Sequence, residues 1–155
     1  MINFSRIQDN LFVGTCPTGV LDIKRLCQAG ISAVVNLQSD RDFVALGIDW
    51  QAMEHLYYEM ELAVYRVPMI DFDESDIARL LPEAVRSLDT ALSAGHRVYL
   101  HCTAGRERSP TTAVAWLSWC SGLSLDQALS LVREARVSNP YEMILRDLAA
   151  SAQPA

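Results

Sequence analysis

The chain has 155 residues, half of them hydrophobic, a net charge of -6 and a pI near 4.9. That length holds one domain with a real core, and that composition excludes a disordered chain. One lysine, Lys24, in an acidic background argues against non-specific binding to nucleic acid or anionic membranes, and no apolar run reaches the ~18 residues of a membrane span.

In chain order, residues 4–16 alternate apolar and polar around the turn signal Asp9-Asn10, which predicts a short hairpin. Thr18 is placed to cap a helix to about residue 29, with Gly30 as its stop. Residues 31–37 are β-branched and apolar and predict a buried strand. Residues 38–47 are polar, contain Phe43 and suggest no element. A helix is expected over 49–59 and a strand over 62–70, where Pro68 marks an edge or an end. The acidic run 71–76 opens a helix to about residue 94, stopped by Gly95. A strand at 97–101 follows, then helices over 109–121, from Ser124 to about 135, and from Pro140 onward. Strands alternating with helices indicate an α/β domain with a mostly parallel central sheet flanked by helices. It spans residues 1–150 as a single domain, with 151–155 as a loose tail.

Cys16, Cys27, Cys102 and Cys120 show no paired metal-ligand spacing. They suit a reducing compartment, so the expected location is the cytoplasm. Residues 1–6 lack the charged start and apolar stretch of a signal peptide; a plastid transit peptide removed earlier stays open.

The most informative stretch is 98–110. Its left half reads as a buried strand. Its right half starts an apolar helix near Ser109, with Pro110 in the first turn. Between them stand Cys102, five residues, then Arg108. Five residues can curl with their N–H groups inward as an anion-binding nest, and the following helix aims its positive end at the same point. Thr103, Ala104, Gly105, Arg106 and Glu107 supply the donors, and Arg108 adds a planar fork that fits two phosphoryl oxygens. Cys102 then lies beneath the phosphorus, held as a thiolate nucleophile. No metal and no cofactor is required, because the nest and Arg108 supply the positive charge. Expelling an alkoxide or phenoxide needs an acid. Asp71, at a strand's end, is the first candidate; Asp73 is the alternative, and any carboxylate of that run could instead be a helix cap.

His101-Cys102-x-x-Gly105-x-x-Arg108-Ser109 resembles the signature of the cysteine-dependent protein tyrosine and dual-specificity phosphatases. The resemblance implies their fold, a phosphocysteine intermediate, Asp71 as general acid, Ser109 easing release of the sulfur, and His101 bracing the loop. A second resemblance, over roughly residues 5–148, is to laforin-like and plant starch-excess-type glucan phosphatases. It rests on residues 29–31, 36–43 and 47–49, on Asp71-Phe72-Asp73, on Arg79-Leu80-Leu81-Pro82 and on Cys102-Thr103-Ala104-Gly105. It implies dephosphorylation of a starch- or glycogen-like polymer, with Phe72 as sugar platform and Phe43, Trp50 and Tyr65 as further candidates. Those glucan enzymes typically continue Gly-x-Gly-Arg-Ala, whereas this chain has Glu107, a carboxylate at the rim of an anion site. The expected substrate is therefore a phosphorylated glucan or a phosphoprotein, with no nucleic-acid or membrane partner and a monomeric chain. An idle phosphate-binding scaffold is the non-enzymatic alternative.

Overall fold

A computed structural model describes residues 1–152. In chain order the elements are β1 (Phe4–Gln8), β2 (Leu11–Gly14), α1 (Val20–Gln28), β3 (Ala33–Gln38), α2 (Asp40–Leu46), α3 (Trp50–Glu59), β4 (Ala63–Met69), α4 (Glu74–Ser93), β5 (Val98–His101), α5 (Arg108–Trp119), α6 (Leu125–Ala135) and α7 (Glu142–Ala152). One five-stranded sheet has the order β1-β2-β5-β3-β4. Only the β1–β2 hairpin is antiparallel; β2, β5, β3 and β4 run parallel.

Alternation along the strands explains why the sheet is covered on both faces. Leu11, Val13, Val35, Leu37, Val98 and Leu100 face α4, α5 and α6 in the larger core, while Phe12, Val34 and Tyr99 face α1 and α3 in the smaller one. Each such side chain contributes about 1.5–3 kcal/mol when fully buried. β4 is an edge strand, and the exposed Pro68 near its end leaves no ladder bond unmade on the solvent side.

The structure departs from the sequence reading at three places. The polar stretch 38–47 holds a helix, α2. Ser39 and Asp42 form a capping box at its start, and Gly47 closes it at φ 66°. Gly19, not Thr18, occupies the N-cap of α1; the Thr18 hydroxyl and N–H both donate to Asp22. The expected tail begins inside a helix: α7 runs through Ala152, with the Ser151 hydroxyl donating to the Leu148 carbonyl. Residues 153–155 of the expected tail lie outside the described residues. Among the described residues no helix is long and apolar enough to cross a membrane.

Candidate active site

β5 ends at His101 and α5 begins at Arg108, so residues 102–107 turn from a central strand into a helix N-terminus at the carboxyl end of the parallel strands. Every carbonyl in that turn is drawn outward. The Cys102 carbonyl accepts from His101 Nδ1 at 2.8 Å, and that of Thr103 from the Cys16 N–H at 3.0 Å. Arg136, just beyond α6, reaches the Ala104 and Gly105 carbonyls at 3.3 and 2.7 Å. The Asn139 N–H takes the Arg106 carbonyl at 2.7 Å, and Thr111 takes that of Glu107 through both its N–H and its hydroxyl. Among the described residues no N–H from Thr103 to Arg108 has a protein partner. Carbonyls fixed outward leave donors fixed inward, which makes an anion nest at the positive end of α5. Gly105 is required twice: its φ is 65°, and a Cβ there would meet the Gly14 carbonyl carbon at 2.6 Å and Arg136 at 2.8 Å.

The nest floors a pocket of about 240 Å³ lined by Asp71, Phe72, Cys102, Ala104 and residues 106–108. Cys102 is 2% exposed, with its Sγ 3.2 Å from Ser109 Oγ. Ser109 lies inside α5 and is not its cap, so its hydroxyl is free to serve the sulfur. Arg108 is 1% exposed. One edge of its guanidinium is clamped by Asp42, Nη1 to Oδ2 at 2.9 Å and Nη2 to Oδ1 at 3.1 Å, and Nη1 also donates to the Met69 carbonyl. Its buried Nε–H has no hydrogen-bond partner, although Asp71 Oδ1 is 3.2 Å away in poor alignment. The fork is thus held from behind by Asp42, with Nε–H left over for a ligand oxygen.

Asp42 is a site residue that sequence reasoning missed. It also accepts from the Thr103 hydroxyl and from the N–H and hydroxyl of Ser39, while Gln38 Nε2 donates to the Thr103 hydroxyl. Burial pushes the Asp42 carboxyl up, but the bonds from Arg108, Ser39 and Thr103 and the Arg108 charge outweigh it and hold the carboxyl at about 2. His101 is fully buried, which pushes it down to about 4 against its bond to the Cys102 carbonyl; the Arg108 charge adds to the fall. It is a neutral imidazole with Nδ1–H donating and Nε2 unpartnered, bracing the backbone rather than the thiol. Burial also raises Asp71, and the Asp42 and Glu107 carboxylates raise it further against the opposing charge of Arg108. Asp73 caps α4 by accepting the Asp76 N–H and is not part of the pocket lining. Glu107 pairs with neither Arg106 nor the nest: Tyr141 donates its hydroxyl to Oε2 at 2.9 Å.

Of the expected aromatic platform, only Phe72 reaches the pocket. It is 72% exposed and held at φ 63°, a left-handed conformation that costs a non-glycine residue about 1–2 kcal/mol. Phe43 is 6% exposed, stacked on Trp50 at 5.3 Å and 3° between planes, with Arg66 4.7 Å above its ring. No face is left for a sugar, because α2 uses its one aromatic to seal its own underside. Trp50 is tied into that stack and to Tyr57, and Tyr65 packs on the main core. A larger cleft, about 610 Å³, lies at the other end of the strands by the Asp9-Asn10 turn and contains none of the groups named above.

A mostly parallel sheet whose central strand runs through cysteine into a nest backed by a clamped arginine is suited to hold an anion above a buried sulfur. Residues 11–148 match the family model of the dual specificity phosphatase catalytic domain, and the chain belongs to that family. It is 32% identical over 139 residues to phosphoglucan phosphatase LSF1, chloroplastic, of Arabidopsis thaliana, covering 90% of this chain and 24% of that protein. It is 30% identical over 163 residues to laforin of Mus musculus, covering 98% and 48%. The chain thus spans about a quarter to a half of the curated relatives it matches. Among solved structures it is similar to Tk-PTP in the active form, with 25% identity, a TM-score of 0.76 and 96% and 94% of the two chains covered. Human DUSP28 matches at 26% identity and a TM-score of 0.75, covering 97% and 95%.

Proposed function

We propose that the chain is a phosphomonoester hydrolase that works through a phosphocysteine, and that its substrate is a phosphorylated glucan. The observation that carries the chemistry is the single pocket in which Cys102 Sγ, the inward donors of 103–108, the free Nε–H of Arg108 and the Asp71 carboxyl converge. In the first step the Cys102 sulfur attacks phosphorus, the S–P bond forms, the P–O ester bond breaks, and Asp71 passes its proton to the leaving oxygen. In the second, water attacks phosphorus, Asp71 takes its proton, the S–P bond breaks, and the Ser109 hydroxyl hydrogen-bonds the departing sulfur. The nest and Arg108 carry the equatorial charge of both transition states.

Three things support glucan as carrier: the similarity to LSF1 and laforin over nearly the whole chain, the exposed Phe72 at the pocket edge, and no lysine in the cradle to favour a polyanion. A phosphoprotein substrate is the second reading, in keeping with membership of the dual specificity phosphatase family. We further read the chain as a monomer of a reducing compartment such as the cytoplasm, since a nucleophilic cysteine is lost on oxidation. The experiment is phosphate release from solubilised phosphorylated glucan, a small aryl phosphate and a phosphotyrosine peptide, with Cys102→Ser as blank. Glucan turnover at least comparable to that of the aryl phosphate is expected. Aryl and peptide turnover without glucan release would move the substrate to phosphoprotein. Silence on all three with the fold intact would leave a phosphate-binding scaffold.

A further inference from the structure

We propose that Glu107 sets substrate selectivity: it bars a second anionic group beside the scissile phosphate and accepts a hydroxyl from a neutral carrier. The inference rests on reading the pocket as a phosphomonoester site. Glu107 belongs to the pocket lining together with Phe72 and Arg106, at the end of the nest. Its carboxylate is fixed through a closed ring of bonds. The Tyr141 hydroxyl donates to Oε2 at 2.9 Å, the Tyr141 N–H donates to the Thr111 hydroxyl at 2.9 Å, and that hydroxyl donates to the Glu107 carbonyl at 2.6 Å. Burial and the facing carboxylate push the Tyr141 phenol up, so it keeps the proton that holds the ring together. Among the described residues Oε1 has no donor, and Arg106 makes no ion pair.

One phosphate is accommodated because the nest donors and Arg108 face it. A second negative charge a few ångströms away meets a fixed carboxylate in a half-closed site, where repulsion is worth on the order of tenfold or more in rate and weakens with salt. A neutral hydroxyl meets the same Oε1 as an acceptor. A sugar phosphate supplies such hydroxyls on the carbons next to the ester, and Phe72 lies at the same pocket for the ring face. A polyphosphorylated inositol or a doubly phosphorylated peptide supplies the charge instead.

The test uses the full chain, its Glu107→Gln variant, which keeps an oxygen for Tyr141, and its Tyr141→Phe variant, which keeps the charge but frees the carboxylate. Each is given an aryl monophosphate with no other charge on its ring, the same ester with a second phosphate on the ring, and solubilised phosphorylated glucan. The quantity read is the ratio of kcat/KM values within each protein, so a general loss cancels. The native ratio of the bisphosphorylated to the monophosphorylated aryl ester should be low and rise as salt is raised from about 0.05 to about 0.5 M. Glu107→Gln should raise it about tenfold at low salt and lower the glucan-to-aryl ratio several-fold. Tyr141→Phe should leave the charge ratio low while lowering the glucan ratio. Turnover of the aryl monophosphate with ratios indifferent to salt and to Glu107→Gln would overturn this proposal alone. A native chain silent on every ester would remove the phosphatase reading and this one with it. Should Glu107→Gln fail to fold, the native salt dependence and Tyr141→Phe still decide.

Discussion

The cradle at 102–108 and the loop at 70–73, which carries the proposed acid, Asp71, meet at one pocket and are built in opposite ways. In the cradle every carbonyl is bonded outward, the arginine is clamped from behind, and the chain is buried except at Ala104 and Arg106, with Thr103 and Glu107 half-buried. The acid loop is a tight turn closed by Asp73 N–H to the Ile70 carbonyl, with Phe72 exposed in a left-handed conformation and Asp71 half-exposed. The lesson is a division of labour. In the proposed chemistry charge develops on phosphorus in both steps, and donors fixed in advance cost no reorganisation there. On the proposed reading, Asp71 and Phe72 meet leaving groups of varied shape, and they sit on a turn closed at its base.

The comparison breaks most sharply at Asp71. Asp71→Asn keeps the shape but has no proton to give, so turnover of an alkyl ester such as glucan phosphate should fall by about 10²–10⁴. An aryl ester with an acidic phenol, which leaves unaided, should lose far less. Because burial and the Asp42 and Glu107 carboxylates raise Asp71, its acid form persists to higher pH than an ordinary aspartate's, and the basic limb for alkyl esters should lie correspondingly high. Asp73→Asn should do little, because asparagine caps a helix as well as aspartate. Equal loss on both ester types at Asp71 would mean a structural role; loss at Asp73 alone would move the acid there.

The cradle side is sharpened by Asp42→Ala. It leaves the Arg108 guanidinium buried and half unpaired, which should cost about 3–5 kcal/mol in denaturant unfolding and misplace the fork. Acid titration of the native chain gives the milder version. A carboxyl held at about 2, below its unfolded value, stabilises fully above that unfolded value and loses the contribution as pH falls toward 2. That amounts to about 2 kcal/mol. The smaller figure is expected because a protonated carboxyl still accepts hydrogen bonds. An Asp42→Ala chain of native stability would show that Arg108 finds another partner and that the clamp is incidental.

What was legible in the sequence follows the same division. Cys102, Gly105, Arg108 and Ser109 lie in one contiguous window, where strand, turn and helix start are local decisions, so spacing alone assembles the nest. Pro68 marked the edge strand and Asp9-Asn10 the hairpin for equally local reasons. Asp42, Arg136, Asn139 and Tyr141 join the site only through topology: β3 pairs β5, which brings α2 onto the cradle, and the connector after α6 lies along its carbonyls. No periodicity in the chain reports that. Phe43 is a platform candidate only through the glucan-phosphatase resemblance; its burial was not legible, because the Ser39–Asp42 capping box that makes its stretch a helix with one inward face went unread.

The smallest expected effect tests whether the acid loop's conformation is itself part of recognition. Phe72 at φ 63° stores about 1 kcal/mol of backbone strain, which nothing in its packing repays, since the ring is exposed. Phe72→Gly removes both strain and ring, whereas Phe72→Ala removes the ring and keeps the strain. On stability, the glycine variant should therefore exceed the alanine variant by a few tenths to about 1 kcal/mol in urea, the gain being trimmed by the greater freedom of glycine when unfolded. On function, both should lower the ratio of glucan to aryl turnover several-fold, because the proposed contact of Phe72 is with the sugar and not with the phosphate. A glycine variant that is both more stable and undiminished on glucan would show that the strained aromatic serves neither fold nor carrier, and the platform would have to be sought elsewhere on the rim.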